Sequence, residues 1–188
     1  MPIAIYTPDV VTLLSTLTVA GQAISLALVA LLLQRVLKKG ATGEAFLQRH
    51  GLLLMLIVAL VATGGSLFFS EIAGWTPCKL CWFQRIFLYP QVLLLAVALW
   101  RKDRNAAWYV LFLSEIGLLF SVAHYVEQVQ ASLLPFTGDP LKPCDASGIS
   151  CARSEIRFTF GYITIPLMAL TAFLMNILTS VLLLWKKR

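Results

Sequence analysis

Charge is scarce in this 188-residue sequence, and acidic charge scarcest: 13% of residues are charged, with 9 Asp and Glu against 15 Lys and Arg. Soluble domains carry about 25% charged residues. With 59% apolar residues and a mean hydropathy of +0.83, the composition excludes an ordinary soluble domain and requires a polytopic membrane protein. There is no internal repeat and no low-complexity segment. No Lys or Arg precedes Arg35, so the basic start of a signal peptide is missing, and no small-residue cleavage site follows the first apolar run. That run is expected to be retained, with its N-terminus outside. The net charge of +6 would suggest nucleic acid in a soluble protein. Here the basic residues cluster between apolar stretches, so they report topology and no nucleic-acid partner.

What is present is five apolar stretches. Residues 10–33 are uncharged for 24 positions, more than the roughly 20 that cross a hydrocarbon core of about 30 Å. Residues 34–50 carry Arg35, Lys38, Lys39 and Arg49, with Gly40 and Gly43 as helix breakers, and read as a cytoplasmic loop. Residues 51–70 form a second uncharged run, and 71–77 a short outer link. The third span covers about 82–100, with Arg85 near its outer end and Pro90 inside it. A fourth covers about 105–126, containing Glu115 and His124, and a fifth about 162–185. Residues 127–157 make the long outer loop, where Val126, Val129 and Leu133 predict that the fourth helix continues along the membrane surface until Pro135. This topology puts ten Lys and Arg inside and five outside, the positive-inside bias expected for an outer N-terminus and a cytoplasmic C-terminus. All four cysteines then lie on the outer side, where thiols are oxidised.

The stretch W-T-P-C-K-L-C-W-F-Q-R at 75–85 stands at the mouth of the third span. Thr76 and Pro77 predict a helix start, Thr76 as N-cap and Pro77 in the first position. Cys78, Cys81 and Arg85 then fall at i, i+3 and i+7 on one face. A helix N-terminus and the nearby cations Lys79 and Arg85 favour a thiolate there. A bare C-x-x-C also serves as a structural bridge or half a zinc site, and four cysteines allow three pairings. A zinc site of all four is disfavoured by the six residues between Cys144 and Cys151. Arg85 either snorkels to the headgroups or holds an anion or a ligand head beside Cys81. His124 is either a surface-belt residue or a hydrogen-bond donor to the same ligand. Glu115 is expected to be protonated and bonded to a neighbouring helix, with a place on a proton path as the second reading.

The run C-K-L-C-W-F-Q-R-I-F-L-Y-P, the pair His124 and Tyr125, the later Cys144 and Cys151, and F-G-Y-I-T-I-P at 160–166 together resemble the DsbB family, particularly its BdbC-like branch. The resemblance runs from about Gly51 to the C-terminus. It implies an all-α membrane protein with a four-helix-bundle core, to which residues 10–33 add one N-terminal transmembrane helix. It further implies a quinone-linked oxidoreductase of the bacterial cytoplasmic membrane. Such proteins reoxidise a secreted thioredoxin-fold thiol oxidase of the DsbA or BdbD kind and pass its electrons to ubiquinone or menaquinone. By matching position, Cys144 and Cys151 exchange with that partner, Cys78 receives the electrons, and Cys81 faces the quinone with Arg85 and His124 beside it. The distal pair is closer in sequence than in DsbB itself. Two rival classes remain open: a membrane scaffold or carrier with structural disulfides, and a redox protein like vitamin K epoxide reductase, in which the C-x-x-C follows the loop pair.

Overall fold

The computed structural model describes residues 7–37, 44–133, 150–151 and 159–185. Five helices follow in order: α1 (Thr7–Val36), α2 (Glu44–Leu67), α3 (Lys79–Arg101), α4 (Ala106–Leu133) and α5 (Ile165–Leu184). The end of α2 widens into a π-helical turn, Phe68–Ile72. Each helix is long and apolar enough to cross a membrane, and among the described residues the only β pairing is the bridge Thr159 to Ile163. The chain is an all-α, multi-pass membrane protein.

Helix is the form in which such apolar runs satisfy their own backbone without water. It extends further than the sequence suggests at the start of α2 and as far as expected at the end of α4. Residues 34–50 are not loop throughout, since α2 begins at Glu44. Leu47 is buried with Leu28, Leu178 and Leu182, and Gln48 Nε2 donates to the Leu182 carbonyl at 3.2 Å, so contacts with α1 and α5 hold the turn before Gly51 helical. Helix α4 runs unbroken to Leu133, the continuation that Val126, Val129 and Leu133 predict. Lys38, Lys39, Gly40, Gly43, Pro135, the basic C-terminal residues and most of the 127–157 loop lie outside the described residues.

Helix α5 is the hub, packing on α4, α1 and α2, while α3 sits between α2 and α4. Leu52, Met55 and Ala59 of α2 meet Leu95 of α3 and Ala107 and Val110 of α4 in the main apolar cluster. Because lipid offers no hydrophobic incentive for helices to associate, small residues and interhelical hydrogen bonds carry more of the specificity. Gln91 Oε1 accepts from Asn176 Nδ2 at 2.8 Å and from Ser114 Oγ at 3.3 Å, joining α3, α5 and α4. Glu115, one position on from Ser114, faces outward and makes no hydrogen bond among the described residues. The expected bond to a neighbouring helix is therefore absent. Its cause is register: Leu111, Ser114, Gly117 and Ser121 take the inner face of α4, leaving Glu115 on the other.

At Gly117 of α4 a Cβ would collide with the Phe173 ring of α5, whereas a Cβ on Gly64 of α2 would meet nothing within 4 Å. Gly117→Ala is expected to cost about 1 to 3 kcal/mol by overpacking, and Gly64→Ala to leave stability unchanged or slightly raised. Thermal unfolding of the two variants in one detergent checks this, and equal midpoints would contradict the packing.

Candidate redox site

Pro77 holds the preceding backbone extended, and the chain stays extended through Cys78 (φ −73°, ψ 174°) before turning helical at Lys79. The N-cap is thus Cys78 rather than Thr76, because the Cys78 sulfur accepts the Cys81 N–H at 3.4 Å and takes the part a Thr hydroxyl would have played. One turn of helix brings the two sulfurs within 3.0 Å of each other, both free, Cys78 buried and Cys81 half-buried.

His124 of α4 stands over them. It is only 2% exposed, which rules out a place in a surface belt. Its Nε2 lies 3.0 Å from the Cys151 carbonyl, to which it must donate, and 3.7 Å from Cys78 Sγ. On the ring's other side Nδ1 is 3.2 Å from the Gln84 amide nitrogen. Cys151 is fully buried and disulfide-bonded. That consumes the sulfur a four-cysteine zinc site would need. Cys144 lies outside the described residues. The donor atoms of Cys78, Cys81 and His124 fall within 4.8 Å of one another.

Arg85 shares the Cys81 face but is turned inward, 9% exposed. Its Nε donates to Ser66 Oγ at 3.0 Å and its Nη2 to the Ser66 carbonyl at 2.9 Å, while the guanidinium lies 5.3 Å from the centre of the Trp82 ring. Tyr89 donates to the same Ser66 hydroxyl at 3.1 Å. Ser66, Gln84 and Tyr89 escaped the sequence reading. Gln84 alone left a signal, as a polar residue at i+3 from Cys81 within an apolar helix. Ser66 had none, since its role depends on how α2 and α3 cross.

Cys78, Cys81, Arg85 and His124 all border one cavity of about 350 Å³, otherwise mostly apolar, which reaches between α1, α2 and α5. Its volume lies within the range of small-molecule sites.

The Cys78 thiol is held down to about 4 from an ordinary 9.0, first by the hydrogen bond from Cys81, then, against the opposing effect of burial, by the hydrogen bond and electrostatic pull of His124. Lys79 and Arg85, the cations expected to do this, take no part in it: Lys79 is exposed and Arg85 is engaged with Ser66. In reduced protein Cys78 is therefore a thiolate at neutral pH and becomes a thiol only as pH falls through about 4. The pH profile of Cys78 alkylation by a small reagent should be flat across neutrality. In His124→Ala its midpoint should move up; a wild-type midpoint near that of a free cysteine would contradict the arrangement.

The DsbB family model, described as disulfide bond formation protein DsbB, matches residues 48–183. Over 131 residues the chain is 45% identical to disulfide bond formation protein C of Bacillus subtilis, covering 70% of this chain and 90% of that protein. It is 41% identical over 121 residues to the SPbeta prophage-derived disulfide bond formation protein B of the same organism, covering 64% and 76%. It is also 41% identical over 131 residues to the probable disulfide formation protein C of Halalkalibacterium halodurans, covering 70% and 90%. No solved structure matches. With the family match spanning most of the chain, including α3, α4 and all four cysteines, this protein belongs to the DsbB family of disulfide bond formation proteins.

Proposed function

We propose that this protein reoxidises an extracytoplasmic thioredoxin-fold thiol oxidase and delivers the electrons to a membrane quinone, with its C-terminus in the bacterial cytoplasm and its cysteines outside. Family membership makes it an oxidoreductase of disulfide formation in a membrane. The finer reading is supported above all by one juxtaposition: the Cys78 and Cys81 pair has the Cys151 main chain on one side, through His124, and an apolar cavity with a buried guanidinium on the other. A scaffold needs no such cavity beside free thiols. A vitamin K epoxide reductase-like protein would carry its C-x-x-C after the loop pair, the reverse of the order here.

The relay balances as follows. A partner thiolate attacks Cys144 of a Cys144–Cys151 disulfide and releases the Cys151 thiolate. Cys151 attacks Cys78 of an oxidised Cys78–Cys81 pair and releases Cys81 as a thiolate. The partner's second thiolate then resolves the bond to Cys144, and the freed Cys144 closes on Cys151, releasing Cys78. The partner has lost two electrons and the inner pair has gained them. Exchange needs a good leaving thiol, a part the low Cys78 pKa equips it to play in the last step.

The residues present fit a quinone. The cavity is mostly apolar, its ionisable groups gathered at Cys81, Arg85 and His124 and the Thr18 and Thr171 hydroxyls spent on their own helices, so a polar ring has one end to occupy and a hydrocarbon tail the rest. Ser66 holds Nε and Nη2 of Arg85, leaving Nη1 without a hydrogen bond among the described residues and able to donate to a ring carbonyl. A quinone held there would accept the two electrons of the inner pair and take up two protons, at most one of them from the pair itself, since Cys78 is a thiolate. The chain supplies position: Ser66 and Trp82 fix the guanidinium, and His124 ties Cys151 to Cys78.

Arg85→Ala should raise the KM for quinone by about tenfold, the loss expected for a charged hydrogen bond, with partner exchange intact. Arg85→Lys should rescue only in part, because an ammonium lacks the planar fork. Unchanged turnover with lowered thermal stability would make Arg85 a packing residue. The relay order is read on a non-reducing gel with a partner lacking its own second cysteine. Cys151→Ser should accumulate the adduct on Cys144, Cys144→Ser should abolish it, and Cys81→Ser should permit partner exchange while stopping quinone reduction. Equal adduct in Cys144→Ser and Cys151→Ser would reverse the order, and purified protein without thiol-dependent quinone reduction would restore the scaffold. For the orientation, an impermeant thiol reagent on reduced intact cells should reach Cys144 or Cys151; labelling only after the inner face is opened would invert it.

A further inference from the structure

Helix α1 lies wholly outside the 48–183 family match, yet it is fixed in place. Gly21 lets it approach α5 so closely that a Cβ there would stand 3.0 Å from both Thr171 Cγ2 and Met175 Sδ. Tyr162 donates to Gln22 Oε1 at 2.7 Å before α5 begins, and Arg35 Nη1 donates to the Leu182 carbonyl at 2.8 Å near its end. Against α2 the contact is local: a Cβ on Gly65 would meet Leu14 Cδ1 at 2.9 Å. The two helices meet again at their other ends, where Leu28 of α1 shares an apolar cluster with Leu47 of α2, and between these points both pack mainly on α5.

The gap between them is part of the cavity. Leu17 and Ile24 of α1 and Ile57 and Val61 of α2 line it while remaining 45%, 48%, 48% and 41% exposed, so the cavity opens sideways there. Ile57 lies nine residues from Ser66, the anchor of Arg85, which is about 13 Å along the helix. The cavity thus has a polar end at Arg85 and Cys81 and, up to about 13 Å deeper, an apolar slot facing the position of the lipid chains.

We infer that the slot between α1 and α2 is the lateral entrance and seat for the isoprenoid tail of the quinone, which makes α1 a binding element of the quinone site. This rests on the quinone reading above. It assigns Leu17 and Ile24 to tail contact and gives the family-external helix a function: without α1 the flank of the cavity between α2 and α5 would lie open to lipid along its length. The apolar surface that α1 adds is chemically indifferent to the ring and selective for the hydrocarbon behind it.

The test uses the full chain in membranes with a quinone carrying a photoreactive group partway along its tail. Irradiation should label the peptides of α1 and α2, and an excess of unmodified long-tailed quinone should compete the label away. Competable label confined to α3, α4 and α5 would overturn the inference while leaving quinone reduction in place. Wild-type protein that neither takes competable label nor reduces quinone would overturn the quinone reading and this inference together. Leu17→Trp and Ile24→Trp, both at exposed positions, should raise the KM for a long-tailed quinone over that for a single-isoprene analogue by about tenfold, the discrimination a few methylenes give in an apolar pocket. An equal change for both quinones, or none, would also overturn it.

Discussion

The Cys78 sulfur accepts the Cys81 N–H where α3 begins, and that bond sets the register of every functional group on the helix. A cap placed two residues earlier, at Thr76, would put Cys78 within the first turn, with its own N–H among the orphan donors. With the sulfur itself as cap, one atom ends the extended strap after Pro77, faces the second thiol at 3.0 Å and lies 3.7 Å from His124. The same hydrogen bond that starts the helix favours the thiolate over the thiol. Local structure and reactivity are therefore set by one contact, and a substitution at Cys78 alters both.

From that start the rest of the site follows by helical spacing and by crossing. Gln84 and Arg85, neighbours about two turns in, point to opposite tasks: Gln84 toward His124 on α4, Arg85 toward Ser66 on α2. A buried guanidinium is costly in a membrane unless its donors are met, and here two of them are met by one serine and the ring of Trp82 flanks the cation. The π-helical turn begins two residues after Ser66. Such turns lie frequently at functional sites, where they re-aim backbone groups.

Much of this was legible in the sequence because its signals are short-range. Apolar runs of membrane length marked all five helices, and the i, i+3, i+7 spacing placed Cys78, Cys81 and Arg85 on one face. The errors came where a tertiary contact overrode a local preference. Gly40 and Gly43 suggested loop up to His50, but Leu47 and Gln48 are drawn into helix by α5. Lys79 and Arg85 looked like the thiolate's counter-charges, yet one faces out and the other is engaged elsewhere. His124 was ambiguous because burial, not spacing, separates a surface imidazole from one between a thiol and a carbonyl. Glu115 could not be oriented until the inner face of α4 was fixed by Ser114 and Gly117.

The helix that the sequence offered least reason to connect with the site is the one whose packing says most about it. Ser15, Thr18, Gly21, Ser25 and Leu28 form the buried face of α1, a mostly small and polar stripe, while its larger apolar residues face outward or line the slot. In water such a helix would be inside out. In a bilayer the inversion is expected, since close backbone approach and hydrogen bonds hold helices together and large apolar side chains are satisfied by lipid. Leu17 and Ile24 therefore sit at the slot for the reason that they suit lipid, and a hydrocarbon tail leaving the bilayer for the cavity would exchange one apolar neighbour for another. The ring of such a ligand would then be selected at the polar end, where Arg85 and Cys81 border the cavity.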